Sequence, residues 1–379
     1  MSVPVFIARR PALPALTGVR ALAAANILFF HFWNPAWFGP LAPMADNGYA
    51  SVDFFFILSG FILTYNYADK QAQGKFQRRE FWRARLVRLY PVYLLGLLVS
   101  LPVLQLEWKY QTTGNFFQGV FLTSLMQQGW SPLLATFWNT PAWTLSCEVM
   151  FYLVFPWALA RAWPRGRWRL ALVLVALWLT ALALPLLYMG LHPDGAGPLN
   201  RYSGGYWLRA VKFTPLPHLP SFLFGIALSY WNDRLQLTDR MRFAMAVVSM
   251  AGIVFCLMQG EKLPFLLTHD GLLAPLFGGL ILGLAGTHPL AGLLSLRPLV
   301  LLGEASFCLY ILHFNLWQWV HSYGLLALLH VQRWDPWVSY LLLELAALAA
   351  YRWVEQPGRG WMQRMVSLLE RATPATTGQ

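Results

Sequence analysis

The stretch 16–33 carries two ionisable side chains, Arg20 and His31, within an otherwise apolar sequence. The two positions are 11 residues apart. In an α-helix this spacing is about 20° more than three turns, so both side chains lie on one face, roughly 16 Å apart along the axis. An ionisable residue in a membrane helix is costly to keep and indicates function. The pair could supply a general base and an anion-binding guanidinium.

Two acidic residues are placed to act with His31. Asp53 lies near the outer start of its apolar segment, and Glu148 lies about two turns in from the outer face, at a depth similar to that of His31. A carboxylate beside a histidine can orient it and tune it as a general base. We therefore predict catalysis by His31 with Glu148 and Asp53. The alternative is a hydrogen-bonded cluster that holds the helices together, which the interfacial position of Asp53 favours for that residue.

A third polar group, formed by Ser306, Tyr310 and His313, occupies positions i, i+4 and i+7 of one apolar segment. This spacing places the three side chains in a stripe on one helical face. Such a stripe faces protein or water and not lipid. We expect Tyr310 and His313 to line a reaction chamber or to stabilise an oxyanion there. A purely structural histidine is the alternative for His313.

The most basic part of the chain is the stretch 70–88, which directly precedes an apolar segment. Arg85 and Arg88 are three positions apart on one helical face, and Arg83 lies nearby. Guanidinium groups at this spacing suit the binding of phosphate. The alternative is that these charges only orient the chain in the membrane or hold a helix on anionic lipid.

The composition shows which elements position these residues. The chain of 379 residues is 57% hydrophobic and 12% charged, which is too apolar for an ordinary soluble protein. We predict an all-α polytopic fold with ten transmembrane helices and a short re-entrant or interfacial helix at about 115–128. With both termini cytoplasmic, most of the 28 Lys and Arg residues fall on the inner side. The ten predicted segments are 16–34, 50–68, 89–106, 142–160, 170–189, 216–231, 243–259, 270–286, 299–320 and 337–354.

We expect a single transmembrane domain over 1–361 and a short polar tail over 362–379. The N-terminus lacks a convincing signal-peptide pattern, so the first apolar segment is expected to be retained. The net charge of +12 follows the membrane topology and does not predict nucleic-acid binding. The three cysteines have no paired spacing, and there is no zinc motif or phosphate-binding glycine loop. We therefore predict no metal.

Six blocks, in this order, resemble the integral-membrane acyltransferase family 3, whose members include bacterial O-acetyltransferases of surface and exopolysaccharides. The likeness extends from Leu16 to about Arg359. The blocks are Arg20 with His31, the aromatic run 52–61 (VDFFFILSGF), Arg85 and Arg88 before Leu-Tyr-Pro, the run 143–148 (WTLSCE), Gly303 with Ser306, Leu309, Tyr310 and His313, and Glu355-Gln356-Pro357.

The resemblance implies a multi-pass protein of the bacterial cytoplasmic (inner) membrane. It implies that cytoplasmic acetyl-CoA, or another acyl-CoA, donates an acyl group to a hydroxyl of a saccharide or other acceptor at the outer side. The CoA phosphates are then expected at Arg20, Arg83, Arg85 and Arg88, with His31 as general base. Candidates for acceptor binding are Trp143, Ser146 and Ser306. The expected partners are the acyl-CoA, the acceptor and membrane lipids, and a periplasmic partner protein is left open.

Two other classes of protein fit parts of the sequence. A polytopic transporter or flippase for a saccharide or a lipid-linked intermediate also buries charged residues, although no internal repeat is evident here. A membrane scaffold would use its polar groups only to hold helices together. Consumption of acyl-CoA distinguishes an acyltransferase from both.

Overall fold

The computed structural model describes residues 10–32, 34–195, 197, 199 and 203–372. Within these residues the chain is helical and contains no β-strand. The helices of eight residues or more are α1 (Pro14–His31), α2 (Ser51–Ala72), α3 (Arg78–Val99), α4 (Leu101–Tyr110), α5 (Thr113–Ser124), α6 (Trp143–Ala160), α7 (Arg167–Leu191), α8 (Tyr206–Phe213), α9 (Pro215–Asn232), α10 (Asp239–Met258), α11 (Ala274–Leu284), α12 (Arg297–Ser322), α13 (Trp337–Ala350) and α14 (Gln356–Ala372).

Each of the ten predicted apolar segments overlaps one of these helices, namely α1, α2, α3, α6, α7 and α9 to α13, and the segment 89–106 also overlaps α4. In the described part of the chain, six helical segments are long and apolar enough to cross a bilayer, and the bent pair of α3 and α4 would make a seventh. The prediction of an all-α protein of membrane type is therefore confirmed.

Three predicted segments differ in detail from the structure. The segment 89–106 is not one straight helix, because α3 and α4 meet at Ser100 with a bend of 62°. The segment 115–128 forms the short helix α5, which ends at Ser124. The predicted tail is not irregular throughout, since residues 362–372 belong to α14, and 373–379 lie outside the described residues.

Local sequence explains where several helices begin. Pro14 stands in the first turn of α1, where its missing N–H is not needed. The hydroxyl groups of Thr112 and Thr238 accept hydrogen bonds from the backbone N–H groups of Asn115 and Met241, and so cap α5 and α10. Capping satisfies donors that the first turn of a helix would otherwise leave unpaired.

Helices α1 and α12 pack against each other in parallel. The guanidinium of Arg20 donates to the hydroxyl of Ser306, and the ring of His31 contacts that of His313, so residue numbers rise together along both helices. The close approach depends on Gly303, because a side chain there would overlap the carbonyl oxygen of Thr17. The two helices that carry most of the predicted chemistry are thus direct neighbours.

Helix α2 runs antiparallel to α1. The amide of Asn26 in α1 donates to Ser51 at the start of α2, and Arg10 before α1 pairs with Asp69 near the end of α2. Helix α2 in turn packs along α9, with which it runs parallel. Phe56 lies against His218 in this contact, and the backbones of the two helices approach closely through Gly60 and Gly225.

We expect Gly225→Ala to destabilise the protein, because the added methyl group would overlap the carbonyl oxygen of Ile57 in α2. Overpacking of this kind costs about 1–3 kcal/mol. The matched control is Gly190→Ala in α7, where the added methyl group meets nothing within 4 Å. Heating each variant in detergent and measuring the surviving monomer by size exclusion gives the result. Equal melting temperatures for the two variants would contradict the proposed tight contact.

Candidate functional site

A cavity of about 670 Å³ lies between α1, α2, α3, α6 and α12. Five cationic side chains and two carboxylates contribute to its lining. These charged residues are Arg10, Arg20, Lys70, Arg85 and Arg88, together with Asp69 and Glu148. The excess of positive charge makes the cavity suited to an anionic ligand.

The cavity is long and follows α2, which lines it from Val52 to Lys70. That length of helix corresponds to roughly 27 Å. One end lies near Thr144 and Tyr310, because the Tyr310 hydroxyl donates to the carbonyl oxygen of Pro141 just before α6. The opposite end contains Arg10, Asp69 and Lys70. A long, thin ligand with charge at one end fits this shape.

Three of the arginines in the cavity, Arg20, Arg85 and Arg88, lie around Glu148. Arg20 interacts electrostatically with Arg88, Glu148 and Glu355, and Arg85 also acts on Glu148. Glu148 accepts a hydrogen bond of 2.9 Å from the hydroxyl of Tyr152. Because Glu355 also pairs with Arg359, these carboxylates do not neutralise all of the guanidinium groups, and positive charge remains in the cavity.

Arg85 shows the clearest deficit of acceptors. Its Nη2 donates to the hydroxyl of Tyr67 at 3.4 Å, whereas its buried Nε has no hydrogen-bond partner among the described residues. A buried charged donor without an acceptor is costly. A phosphate oxygen in the cavity would supply the acceptor, which fits the predicted role of Arg85.

Arg10 forms ion pairs at the charged end of the cavity. Its Nε donates to Asp69 at 2.7 Å and its Nη1 donates to Asp233 at 3.1 Å, while the guanidinium lies 5.0 Å from the ring centre of Tyr65. The hydrogen bond with Asp69 raises the pKa of Arg10 above its ordinary value. This residue ties the start of the chain to α2 and to the end of α9.

His31 and His313 form a direct pair, with 3.2 Å between Nδ1 of His31 and Nε2 of His313. Nδ1 of His313 lies 2.8 Å from the carbonyl oxygen of Tyr310, which can only accept, so in the neutral ring this nitrogen carries the proton. Nε2 of His313 is then an acceptor, and Nδ1 of His31 donates to it and to the carbonyl oxygen of Ile27. The proton-free nitrogen of His31 is therefore Nε2.

His31 does not line the cavity, yet its side chain is only partly buried. Tyr310, which does line the cavity, has its ring centre 5.9 Å from that of His313. The histidine pair thus lies one helical turn beyond the end of the cavity.

The structure does not bring Glu148 or Asp53 to His31. Glu148 lies among the arginines of the cavity, and the residue that orients His31 is His313. Asp53 is buried beside Ser221 of α9, in the electrostatic field of a separate cluster in which His218 and His269 pair with Asp270. The Asp270 oxygen lies 2.9 Å from His218 and 3.2 Å from His269.

The three predicted acceptor-binding residues lie in different places. Ser306 lines the cavity and accepts the hydrogen bond from Arg20. Ser146 is fully buried, and its hydroxyl oxygen accepts the N–H of Gly129, which gives it a structural contact instead. Trp143 is buried against Phe213 and against the rings of His218 and His269. Neither Ser146 nor Trp143 lines the cavity.

Arg83 also lies outside the main cavity, in the lining of a smaller neighbouring one. Conversely, sequence reasoning missed several residues that line the main cavity, among them Ser59, Asn66 and Tyr67. Ser59 and Asn66 are seven positions apart in an apolar helix, and this spacing could have identified the polar face of α2. No comparable signal identifies Arg10, whose partner Asp233 is 223 residues away.

Comparison with known proteins adds an independent observation. Residues 13–350 match the family model of an acyltransferase domain. The chain is 28% identical over 359 residues to the acyltransferase MdmB of Streptomyces mycarofaciens, an alignment that covers 89% of this chain and 87% of that protein. It is 25% identical over 379 residues to the O-acetyltransferase OatA of Staphylococcus aureus, covering 92% of this chain but 57% of OatA. No solved structure matches the chain.

If the cavity admits water, a cysteine placed on its wall will react with a water-soluble maleimide. We expect rapid labelling of Ser59→Cys and none of Ser229→Cys, which is buried outside the cavity. Both variants are made in a background in which the partly exposed Cys256 is serine, since Cys147 and Cys308 are buried. Mass spectrometry of the intact protein measures the label, and an unreactive Ser59→Cys would show that the cavity is closed to solvent.

Proposed function

This chain belongs to the integral-membrane acyltransferase family 3, and we propose that it transfers an acyl group, by preference acetyl, from acyl-CoA to a hydroxyl group. The proposed donor enters from the cytoplasm, and the proposed acceptor is a saccharide or similar molecule at the outer side of the membrane. The observation that carries the proposal is a cavity with excess positive charge that ends one helical turn from a histidine pair with a defined proton-free nitrogen.

The donor fits the cavity by charge and by shape. CoA carries its phosphates at one end and its thioester at the other, joined by the long pantetheine arm. In the proposal, Arg20, Arg85 and Arg88 bind the diphosphate, and the unpartnered Nε of Arg85 gains an acceptor. The arm follows α2 towards Tyr310, which brings the thioester next to the histidine pair.

His31 acts as general base in the proposed reaction. Its Nε2 takes the proton of the acceptor hydroxyl while the hydroxyl oxygen attacks the thioester carbonyl carbon. The C–S bond then breaks, and the departing CoA sulfur takes that proton, so that the products are the ester and free CoA. His313 contributes by holding Nδ1 of His31 in the protonated state, which keeps Nε2 available.

The directions of the helices support ten crossings with both termini in the cytoplasm. In that topology α1 is the first crossing and α12 the ninth, so they must run parallel, as the contacts of Arg20 with Ser306 and of His31 with His313 require. Likewise α2 and α9, the second and sixth crossings, run parallel. The basic cavity end then lies at the cytoplasmic face, where acyl-CoA is made. We place the protein in the bacterial cytoplasmic (inner) membrane, and the bacterial origin of its relatives supports a bacterial membrane location.

We expect His31→Ala to lower kcat by about 10²–10⁴-fold, the usual contribution of a general base. The assay is CoA release from acetyl-CoA by purified protein in detergent, with and without a saccharide fraction from the cell envelope. The control is His321→Ala, a histidine of α12 that pairs with Asp335 away from the cavity. If folded His31→Ala turns over as fast as wild type, His31 is not the general base. Absence of release by wild type with acetyl-CoA and longer acyl-CoAs would favour the transporter alternative.

Arg85→Ala and Arg88→Ala should each raise KM for the acyl-CoA donor by about tenfold, because each removes a charge-assisted contact with phosphate. The KM for the acceptor should not change. Arg79→Ala, in the same helix but outside both cavities, is the matched control. Steady-state kinetics with each substrate varied in turn give the two values. A rise in acceptor KM with the donor KM constant would assign these arginines to the acceptor.

A further inference from the structure

A second cavity, of about 430 Å³, lies beside the charged end of the first. The two share Tyr67 and Lys70 in their linings, so they are adjacent at these side chains. Its volume is within the range of small-molecule sites. The second cavity is formed by the end of α2, the connection to α3, the first turns of α3 and one residue of α14, Gln363.

The lining of the second cavity combines cations with an aromatic wall. Lys70, Lys75 and Arg83 supply positive charge, and Glu80 supplies the carboxylate of the lining. The aromatic wall is a cluster of three rings, with 5.6 Å between the centres of Tyr67 and Phe76, 5.3 Å between Tyr67 and Phe81, and 5.7 Å between Phe76 and Phe81. Aromatic rings of this kind can stack on a nucleobase.

Polar side chains complete the surface of the second cavity. Gln77, Glu80 and Gln363 offer amide and carboxylate groups that can pair with the amino group and ring nitrogens of a purine. Gln363 is held in place because α14 packs on α3, where Gly358 lies against Pro91. The ion pair between Arg359 and Glu355 further fixes the first turn of α14.

We propose that this second cavity binds the adenosine 3′-phosphate end of the acyl-CoA donor. The inference rests on the proposed function, which places the CoA diphosphate among the arginines of the main cavity. The adenosine end must then lie at the mouth of that cavity, next to the shared residues Tyr67 and Lys70. Adenine stacks against Tyr67 and Phe76, the partly exposed rings of the aromatic wall, whereas Phe81 is buried.

The charges of the second cavity suit the 3′-phosphate. A phosphate monoester carries a charge of about −1.5 to −2 at neutral pH. The three cations and one carboxylate of the lining leave an excess of positive charge to meet it. Lys75 and Arg83 lie outside the main cavity, so their effect is confined to this part of the donor.

The test compares acetyl-CoA with acetyl-dephospho-CoA, which lacks only the 3′-phosphate. For wild type we expect a KM about tenfold higher for the dephospho donor. In the double variant Lys75→Ala/Arg83→Ala, the KM for acetyl-CoA should rise to that of the dephospho donor, whose own KM should not change. Because one protein sample is measured with both donors, the ratio of the two KM values is insensitive to partial misfolding.

Arg78→Ala/Arg79→Ala is the control, since it removes the same charge at the start of α3, close in sequence to Lys75 and Arg83, and neither residue lines either cavity. Its KM ratio should equal that of wild type. Calorimetric binding of adenosine 3′,5′-bisphosphate gives a readout that does not need turnover. We expect this nucleotide to bind wild type at least tenfold more tightly than 5′-AMP, and the Lys75→Ala/Arg83→Ala protein without that preference.

Each other outcome overturns the inference. If wild type has the same KM for acetyl-CoA and acetyl-dephospho-CoA, the 3′-phosphate site is ruled out, and the acyltransferase proposal is unaffected. The KM values of Lys75→Ala/Arg83→Ala could instead rise equally for both donors, or change only in vesicles that contain anionic lipid. Either result would assign these cations to the membrane surface. Absence of acyl-CoA turnover by wild type, together with no binding of adenosine 3′,5′-bisphosphate, removes both proposals.

Discussion

Buried charge is the constraint on which the rest of this structure depends. Arg20, Arg85, Arg88 and Glu148 line a cavity inside a bundle of largely apolar helices, and an isolated charge in such surroundings is costly. The bundle meets this cost by enclosing a polar cavity and by placing one carboxylate among the guanidinium groups. The carboxylate does not neutralise all of the guanidinium charge, and the remaining positive charge makes the cavity suited to anions. Stability and ligand selectivity therefore have the same physical origin here.

The parallel contact of α1 with α12 joins the two chemical parts of the site. On the shared face, Arg20 meets Ser306 at one depth, and His31 meets His313 at another. Gly303 allows the two backbones to approach closely. Because one pair of packed helices carries both contacts, the distance between Arg20 and His31 is fixed by helix geometry and does not depend on loop conformation.

The sequence predicted helical faces well but could not identify neighbours. Arg20 and His31 do lie on one face, and the stripe of Ser306, Tyr310 and His313 does face protein. Position within its apolar segment predicted Glu148 at the depth of His31. The structure instead places Glu148 among the arginines, including Arg20, which is three helical turns from His31.

The same limit applies to Asp53, which faces α9 and its histidine cluster. It also applies to the bend at Ser100, because the two helices that meet there are apolar enough to cross a bilayer only when taken together. Helical periodicity contains no information on which element lies opposite a given face.

The order of synthesis gives the α1–α12 contact a further consequence. The residues that meet across it are 286 and 282 positions apart in the chain. During translation α1 is inserted well before α12. The hydrogen bond from Arg20 to Ser306 and the contact of His31 with His313 therefore form only once α12 has been inserted. The histidine pair is completed in a late step of synthesis, even though Glu148 on α6 can already lie near Arg20.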